Sequence, residues 1–136
     1  MALSSNTLVL DSWSVLAYLK GELRGKPVAD LMAEAHETGV PLHMCVVNIG
    51  EVWYILARDT SPAEADKVIE QLQQEIIKGV DADWDLTRIA AAYKSTYKMS
   101  YADCFAAALA KINDAELITG DPEFKQLEGE VKIHWL

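Results

Sequence analysis

The chain has 136 residues, 51% of them hydrophobic and 24% charged, which fits one domain over residues 1–136 with a single buried core and excludes a disordered or fibrous protein. Its net charge of −9 and pI of about 4.7 argue against broad attraction to a phosphate backbone, although each divalent cation held among the acids would cancel two negative charges. The apolar N-terminus lacks a basic leader region and is interrupted by Asp11, so a cytoplasmic protein with neither a signal peptide nor a membrane span is expected.

Thr7 to Leu10 reads as a short buried strand, and Trp13, Leu16 and Leu19 then recur at helical spacing from Ser12 to about Lys20. Pro27 suits the first turn of a second helix that Gly39 would stop. Val40 to Val47 reads as a second strand, and Asn48 to about Arg58 as a helix with Val52, Ile55 and Leu56 facing inward. SPAE at Ser61 combines a cap, a proline at the first helical position and a closing Glu64, and predicts a helix running to about Lys78. After Gly79 a short extended piece leads to a helix from about Leu86 to Tyr97, entered through Asp85. DCFAAALAKI, following Ser100, predicts a tightly packed helix. Glu116 to Thr119 reads as a strand, PEFKQL as a short helix, and Val131 to Trp135 as a final strand. Cys45 and Cys104 lack CxxC spacing and are expected as buried thiols; His36, His43 and His134 show no paired ligand spacing.

Strands alternating with helices imply parallel pairing with right-handed crossovers, and hence a three-layer α/β domain with helices on both faces of the sheet. Such open sheets bind ligands beyond the carboxyl ends of their strands. Asp11 and Asp121 each follow a predicted strand, so their carboxylates face one crevice if those strands are neighbours. Glu51 and Asp103 lie near the starts of predicted helices.

Taken singly, each acid has a structural explanation. Asp11 and Asp121 suit helix caps, while Asn48 with Glu51 and Ser100 with Asp103 have capping-box spacing. Taken together, convergence has a cost: two negative charges at about 4 Å and an effective dielectric near 20 repel by about 4 kcal/mol, against roughly 0.5–2 kcal/mol contributed by a cap. Caps alone do not justify such a cluster, whereas a bound Mg²⁺ or Mn²⁺ does, because hard cations favour carboxylate oxygens.

The stretches LVLDSWSVLAYL, NIGEVWYIL, MSYADCFAAALA and LITGDPEF, spanning Leu8 to Phe124, resemble in order the four acidic motifs of PIN-domain ribonucleases, and especially the VapC-type toxins of toxin–antitoxin pairs. The resemblance implies a parallel sheet of about five strands in order 3-2-1-4-5. It places Asp11, Glu51, Asp103 and Asp121 at the four acidic positions, with Thr119 supporting the fourth acid and Ser12 a further supporting residue. The second position after Asp11 holds Trp13, where many relatives place a small hydroxyl residue; Ser12 and Ser14 flank it.

The expected activity is metal-assisted hydrolysis of an RNA phosphodiester by water, leaving a 5′-phosphate and a 3′-hydroxyl, with Mg²⁺ or Mn²⁺ held by Asp11 and Asp103, by Glu51 directly or through water, and by Asp121. The resemblance further implies a homodimer silenced by a cognate antitoxin protein. Lys20, Arg24, Lys26, Lys94 and Lys98 are candidate phosphate contacts, and Trp13 and Trp53 either stack on bases or pack in the core. A dehalogenase-like phosphatase would need DxD after the first strand, where this chain has DSW, and no phosphoacceptor with a late lysine marks a receiver domain. The alternative is a non-catalytic PIN-like module that binds RNA or protein; a response to Mn²⁺ separates the two.

Overall fold

Alternating side chains on the short strands explain how one sheet serves two cores. Val9, Cys45 and Leu117 pack on one face, whereas their chain neighbours Leu10, Met44 and Ile118 pack on the other, as a period of two requires. The computed structural model describes residues 7–21 and 23–136; the first six residues, on which the expectation of no signal peptide partly rests, and Glu22 lie outside it.

Five strands form the sheet: β1 (Leu8–Leu10), β2 (Leu42–Cys45), β3 (Lys78–Val80), β4 (Glu116–Thr119) and β5 (Lys132–Trp135). Their order is β3-β2-β1-β4-β5 and every pairing is parallel, the topology expected from the sequence. Among the described residues six α-helices connect them: α1 (Ser12–Leu19), α2 (Gly25–Thr38), α3 (Val46–Asp59), α4 (Pro62–Glu75), α5 (Trp84–Thr96) and α6 (Tyr101–Ile112). A 3-10 helix (Pro122–Leu127) separates β4 from β5. None of these helices is long and apolar enough to cross a membrane.

One core is dominated by α5 and α6, with Leu86, Ala90, Phe105 and Leu109 set against the sheet and Phe124 and Leu127 of the 3-10 helix closing it. The other joins Val15 of α1, Val28 and Met32 of α2, Val52 of α3 and Leu72 of α4. Residues Cys104 to Ala110 of α6 are buried without interruption, and the four alanines among them let neighbouring elements approach on all sides.

Several boundaries differ from the sequence reading. Val46 and Val47 belong to α3 rather than β2, since their β-favouring side chains are overridden by the helix they open. The α4 helix ends at Glu75, and Lys78 instead begins β3, where it pairs with His43. Asp83, not Asp85, caps α5 by accepting from the Leu86 amide at 2.9 Å. The Ser61 cap is formed as the SPAE motif implies, accepting from the Glu64 amide at 3.1 Å.

Candidate functional site

The acids collect at the carboxyl edge of the sheet because chain order puts a residue there wherever a strand passes into a helix. Asp11 follows β1, and Asp121 follows β4 after one glycine; β1 and β4 are paired neighbours. Asp103 arrives from a different direction, in the first turn of α6.

Asp11 is the most enclosed of these groups, with no solvent exposure. It caps α1: Oδ1 accepts from the Ser14 amide at 2.8 Å and lies 2.7 Å from Ser14 Oγ. Thr119 Oγ1 donates to Oδ2 at 2.5 Å while accepting from the Asp121 amide at 3.0 Å, so one hydroxyl ties the first acid to the loop of the last. Ser14 Oγ also lies 2.6 Å from the Ile118 carbonyl. A single hydroxyl proton serves only one acceptor. Ser14 Oγ therefore divides its one proton between Asp11 Oδ1 and the Ile118 carbonyl. Burial pushes Asp11 up to about 6, opposed by the Thr119 and Ser14 hydrogen bonds and assisted by the charge of Asp121.

Asp103, Asp121 and Glu123 each offer an oxygen, and the three oxygens lie within 4.8 Å of one another. Asp103 is pushed up to about 8, first by burial, then by the charge of Asp121, by a side-chain hydrogen bond with Glu123 and by the charge of Asp11, against the lowering effect of Ser100. The three ion pairs among the described residues involve none of these carboxylates. Asp121 is a cap as well as a member of the cluster, accepting from the Glu123 amide at 2.9 Å, while the amide of Asp103 donates to the Ser100 cap, Oγ, at 3.1 Å.

Glu51 is placed differently. It lies half-buried on α3 and belongs neither to the three-carboxylate group nor to the hydrogen bonds around Asp11 among the described residues. Asn48, read from spacing as the capping partner of Glu51, is interior to α3 instead, since the helix begins two residues earlier than expected. Its Nδ2 donates to the Ala102 carbonyl at 2.9 Å, and its backbone carbonyl accepts from Ser12 Oγ at 3.2 Å. Asn48 therefore fastens α1, α3 and α6 together beside Asp11 and Asp103. The Ser12 hydroxyl is spent on that link; the hydroxyls that reach Asp11 come from Ser14 and Thr119.

Glu123 was not among the residues picked out in the sequence. Its signal is the GDPE string itself: a carboxylate two places after a cap whose own amide that cap accepts is held on the same side of the turn. Trp53 serves packing between α3 and α4, where Nε1 donates to Asp66 at 2.9 Å, and Trp13 rests against Gly120. Lys94 Nζ donates to the Met99 carbonyl at 2.7 Å, which bridges the end of α5 to the start of α6. A cavity of about 860 Å³ lies at the opposite edge of the sheet, against Leu42, Lys78 and the facing sides of α2 and α4.

Residues 8–130 match the model of the PIN domain family. No curated protein sequence matches the chain. Among solved structures, it is similar to VapBC2 from Rickettsia felis bound to a promoter DNA fragment, with 12% identity, a TM-score of 0.75, and 94% of this chain and 97% of that one covered. DNA-bound VapBC from Salmonella typhimurium gives 15% identity and a TM-score of 0.73, covering 94% and 96%. VapC20 from Mycobacterium tuberculosis, described as a sarcin–ricin loop cleaving toxin, gives 18% and 0.73, covering 92% and 97%.

Proposed function

The chain belongs to the PIN-domain family, and from that premise we propose that it is a Mg²⁺- or Mn²⁺-dependent endoribonuclease of the VapC type, held inactive by a cognate antitoxin. The observation that carries this reading is the meeting of Asp103, Asp121 and Glu123 within 4.8 Å beside the buried Asp11, with no cation from the protein paired to them among the described residues. Carboxylates gathered so closely bind a proton or a hard cation in preference to remaining charged alone. Asn48 Oδ1, buried without a partner among the described residues, adds an unmet acceptor on the helix that carries Glu51, which suits a hydrated ion.

Asp103, Asp121 and Glu123 would hold the ion, with Asp11 completing the acidic ring and Glu51 reaching it through water. When bound, Mg²⁺ or Mn²⁺ supplies Lewis acidity toward a phosphoryl oxygen and acidifies the attacking water. The protein's own part is to keep these oxygens in place. Thr119 and Ser14 fix both oxygens of Asp11, Ser100 anchors the amide of Asp103, and Asn48 holds α3 against α6. Neither a histidine base nor a serine nucleophile is required. Cleavage by water leaves a 5′-phosphate and a 3′-hydroxyl.

A homodimer and a cytoplasmic location go with this reading, and a protein antitoxin as partner is supported by the likeness to VapBC assemblies. The experiment is cleavage of cellular RNA by the purified chain in Mn²⁺, with the ends sequenced. Asp11→Asn and Asp103→Asn should abolish it, as should excess chelator; full cutting by either variant removes the mechanism.

A further inference from the structure

A second cavity, of about 530 Å³, opens beside the acidic edge and is lined by Trp13, Arg24, Gly120, Pro122, Lys125 and Trp135. We propose that it is a subsite for an unpaired nucleotide of the substrate strand next to the scissile phosphate, its base stacked on an indole and its phosphate met by Arg24 and Lys125. The proposal rests on the ribonuclease reading and adds to it where the strand lies.

The cavity adjoins the acids through the chain itself. Gly120 and Pro122 bracket Asp121, Trp13 is two residues from Asp11, and Trp135 pairs with Thr119 across β4 and β5. Both charged side chains in its wall, which Pro27 and Leu136 complete, are cationic, in a chain with a net charge of −9, and neither Arg24 nor Lys125 takes part in the ion pairs among the described residues. The two indoles are held in place. A Cβ on Gly120 would come within 2.3 Å of Trp13 Cη2, so this ring occupies the space that only a glycine leaves. Trp135 Nε1 donates to Glu128 at 3.1 Å while the residue keeps 36% of its surface exposed. Fixed aromatic faces accept any base without a readable code, and adjacent cations supply the phosphate contact that the acidic edge cannot. A ligand with both a π face and a phosphate matches this wall; an acidic peptide uses only its cations.

The test uses a labelled mixed-sequence single-stranded RNA of about 12 nucleotides, within the span such sites cover. Binding is followed by anisotropy on the full chain silenced with Asp103→Asn, and Mn²⁺ binding is followed by calorimetry on the chain with its acids intact. Trp135→Leu should weaken RNA binding by about 5- to 100-fold, with affinity restored in Trp135→Phe. Arg24→Gln combined with Lys125→Gln should flatten the dependence of log K on log salt by about 1.4, two cations at roughly 0.7 each. Mn²⁺ binding should be unchanged in all three. The charge pair is exposed and keeps the test alive should a tryptophan variant fail to melt cooperatively. Unaltered RNA affinity and salt slope, with Mn²⁺-dependent cleavage intact, overturn the subsite and leave the nuclease reading standing. Weakened RNA binding in the variants, with no metal-dependent cleavage by the unaltered chain, does the reverse.

Discussion

At the amino ends of β4 and β5, Asp114 meets Lys132 at 2.9 Å and Glu130 meets Lys111 at 3.7 Å, with all four side chains about half exposed or more. At the carboxyl ends of the same region, Asp103, Asp121 and Glu123 meet one another, and Asp11 lies beside them without solvent exposure. Carboxylates of the first kind are screened, paired and nearly neutral in their effect on stability. In the second group burial and the neighbouring charges raise the proton affinity of Asp11 and Asp103, and the fold keeps them there with hydroxyls and caps rather than with lysines or arginines. An arrangement that repels itself when empty is specific for what neutralises it.

The sharpest way to break this comparison is Asp103→Asn. If the acidic edge works as proposed, RNA cleavage should fall by more than about 100-fold, beyond the roughly 10- to 100-fold typical of losing only an outer partner of a metal ligand. The metal-free variant should also melt higher than the unaltered chain at pH 8, because an amide removes one of the mutually repelling charges.

Proton linkage gives the next largest effect. Asp11 and Asp103 rise from 3.8 to about 6 and about 8, so the folded chain binds more protons than the unfolded one between those values. Stability of the metal-free protein should therefore be greatest at the acid end of this window, decline as pH rises from about 4 to 8, and level off above the folded values. Saturating Mn²⁺ should flatten the decline. Melting curves at pH 5, 7 and 9 with and without Mn²⁺ would show it, and a metal-free melting temperature that climbs with pH would contradict it.

Thr119→Val removes the donor to Asp11 and the acceptor for the Asp121 amide in one step. Asp11 should become still harder to ionise. Mn²⁺ affinity should drop by about 10- to 100-fold, and stability by roughly 1–3 kcal/mol, measured by calorimetry and denaturant titration. Gly120→Ala, which forces a methyl group against Trp13, should cost about 1–3 kcal/mol. The smallest effect belongs to the other end of the sheet. Asp114→Asn should change stability by less than about 1 kcal/mol and leave cleavage untouched, because the pair with Lys132 is exposed and asparagine tolerates the positive φ of 49° at that position.

How the site was reached differs from residue to residue. Asp11 and Asp121 were legible because each follows a short run of strand-forming residues, and parallel topology sends every such junction to the same edge. Asp103 was legible through Ser100, whose capping geometry fixes where the helix starts and hence which turn carries the acid. Glu51 was picked out by the resemblance of the NIGE stretch, and the capping box read between Asn48 and Glu51 is not formed: α3 begins earlier, and the asparagine side chain reaches 54 positions along the chain to Ala102. Glu123 and the division of labour between Ser12 and Ser14 were hidden for a related reason. Which hydroxyl faces which carboxylate depends on the angle between α1 and β4, and no spacing within either segment encodes it.

The sequence by itself determined the order of elements, the parallel sheet and the edge to which the acids go, because alternation, caps and strand–helix junctions are local properties of the chain. Tertiary structure alone decided which oxygens come within reach of one another, which hydroxyls hold them, and that two tryptophans and two cations form a wall beside them. The physical reason is range: backbone preference acts over a few residues, whereas charge repulsion and burial act between groups brought together only when the chain has folded.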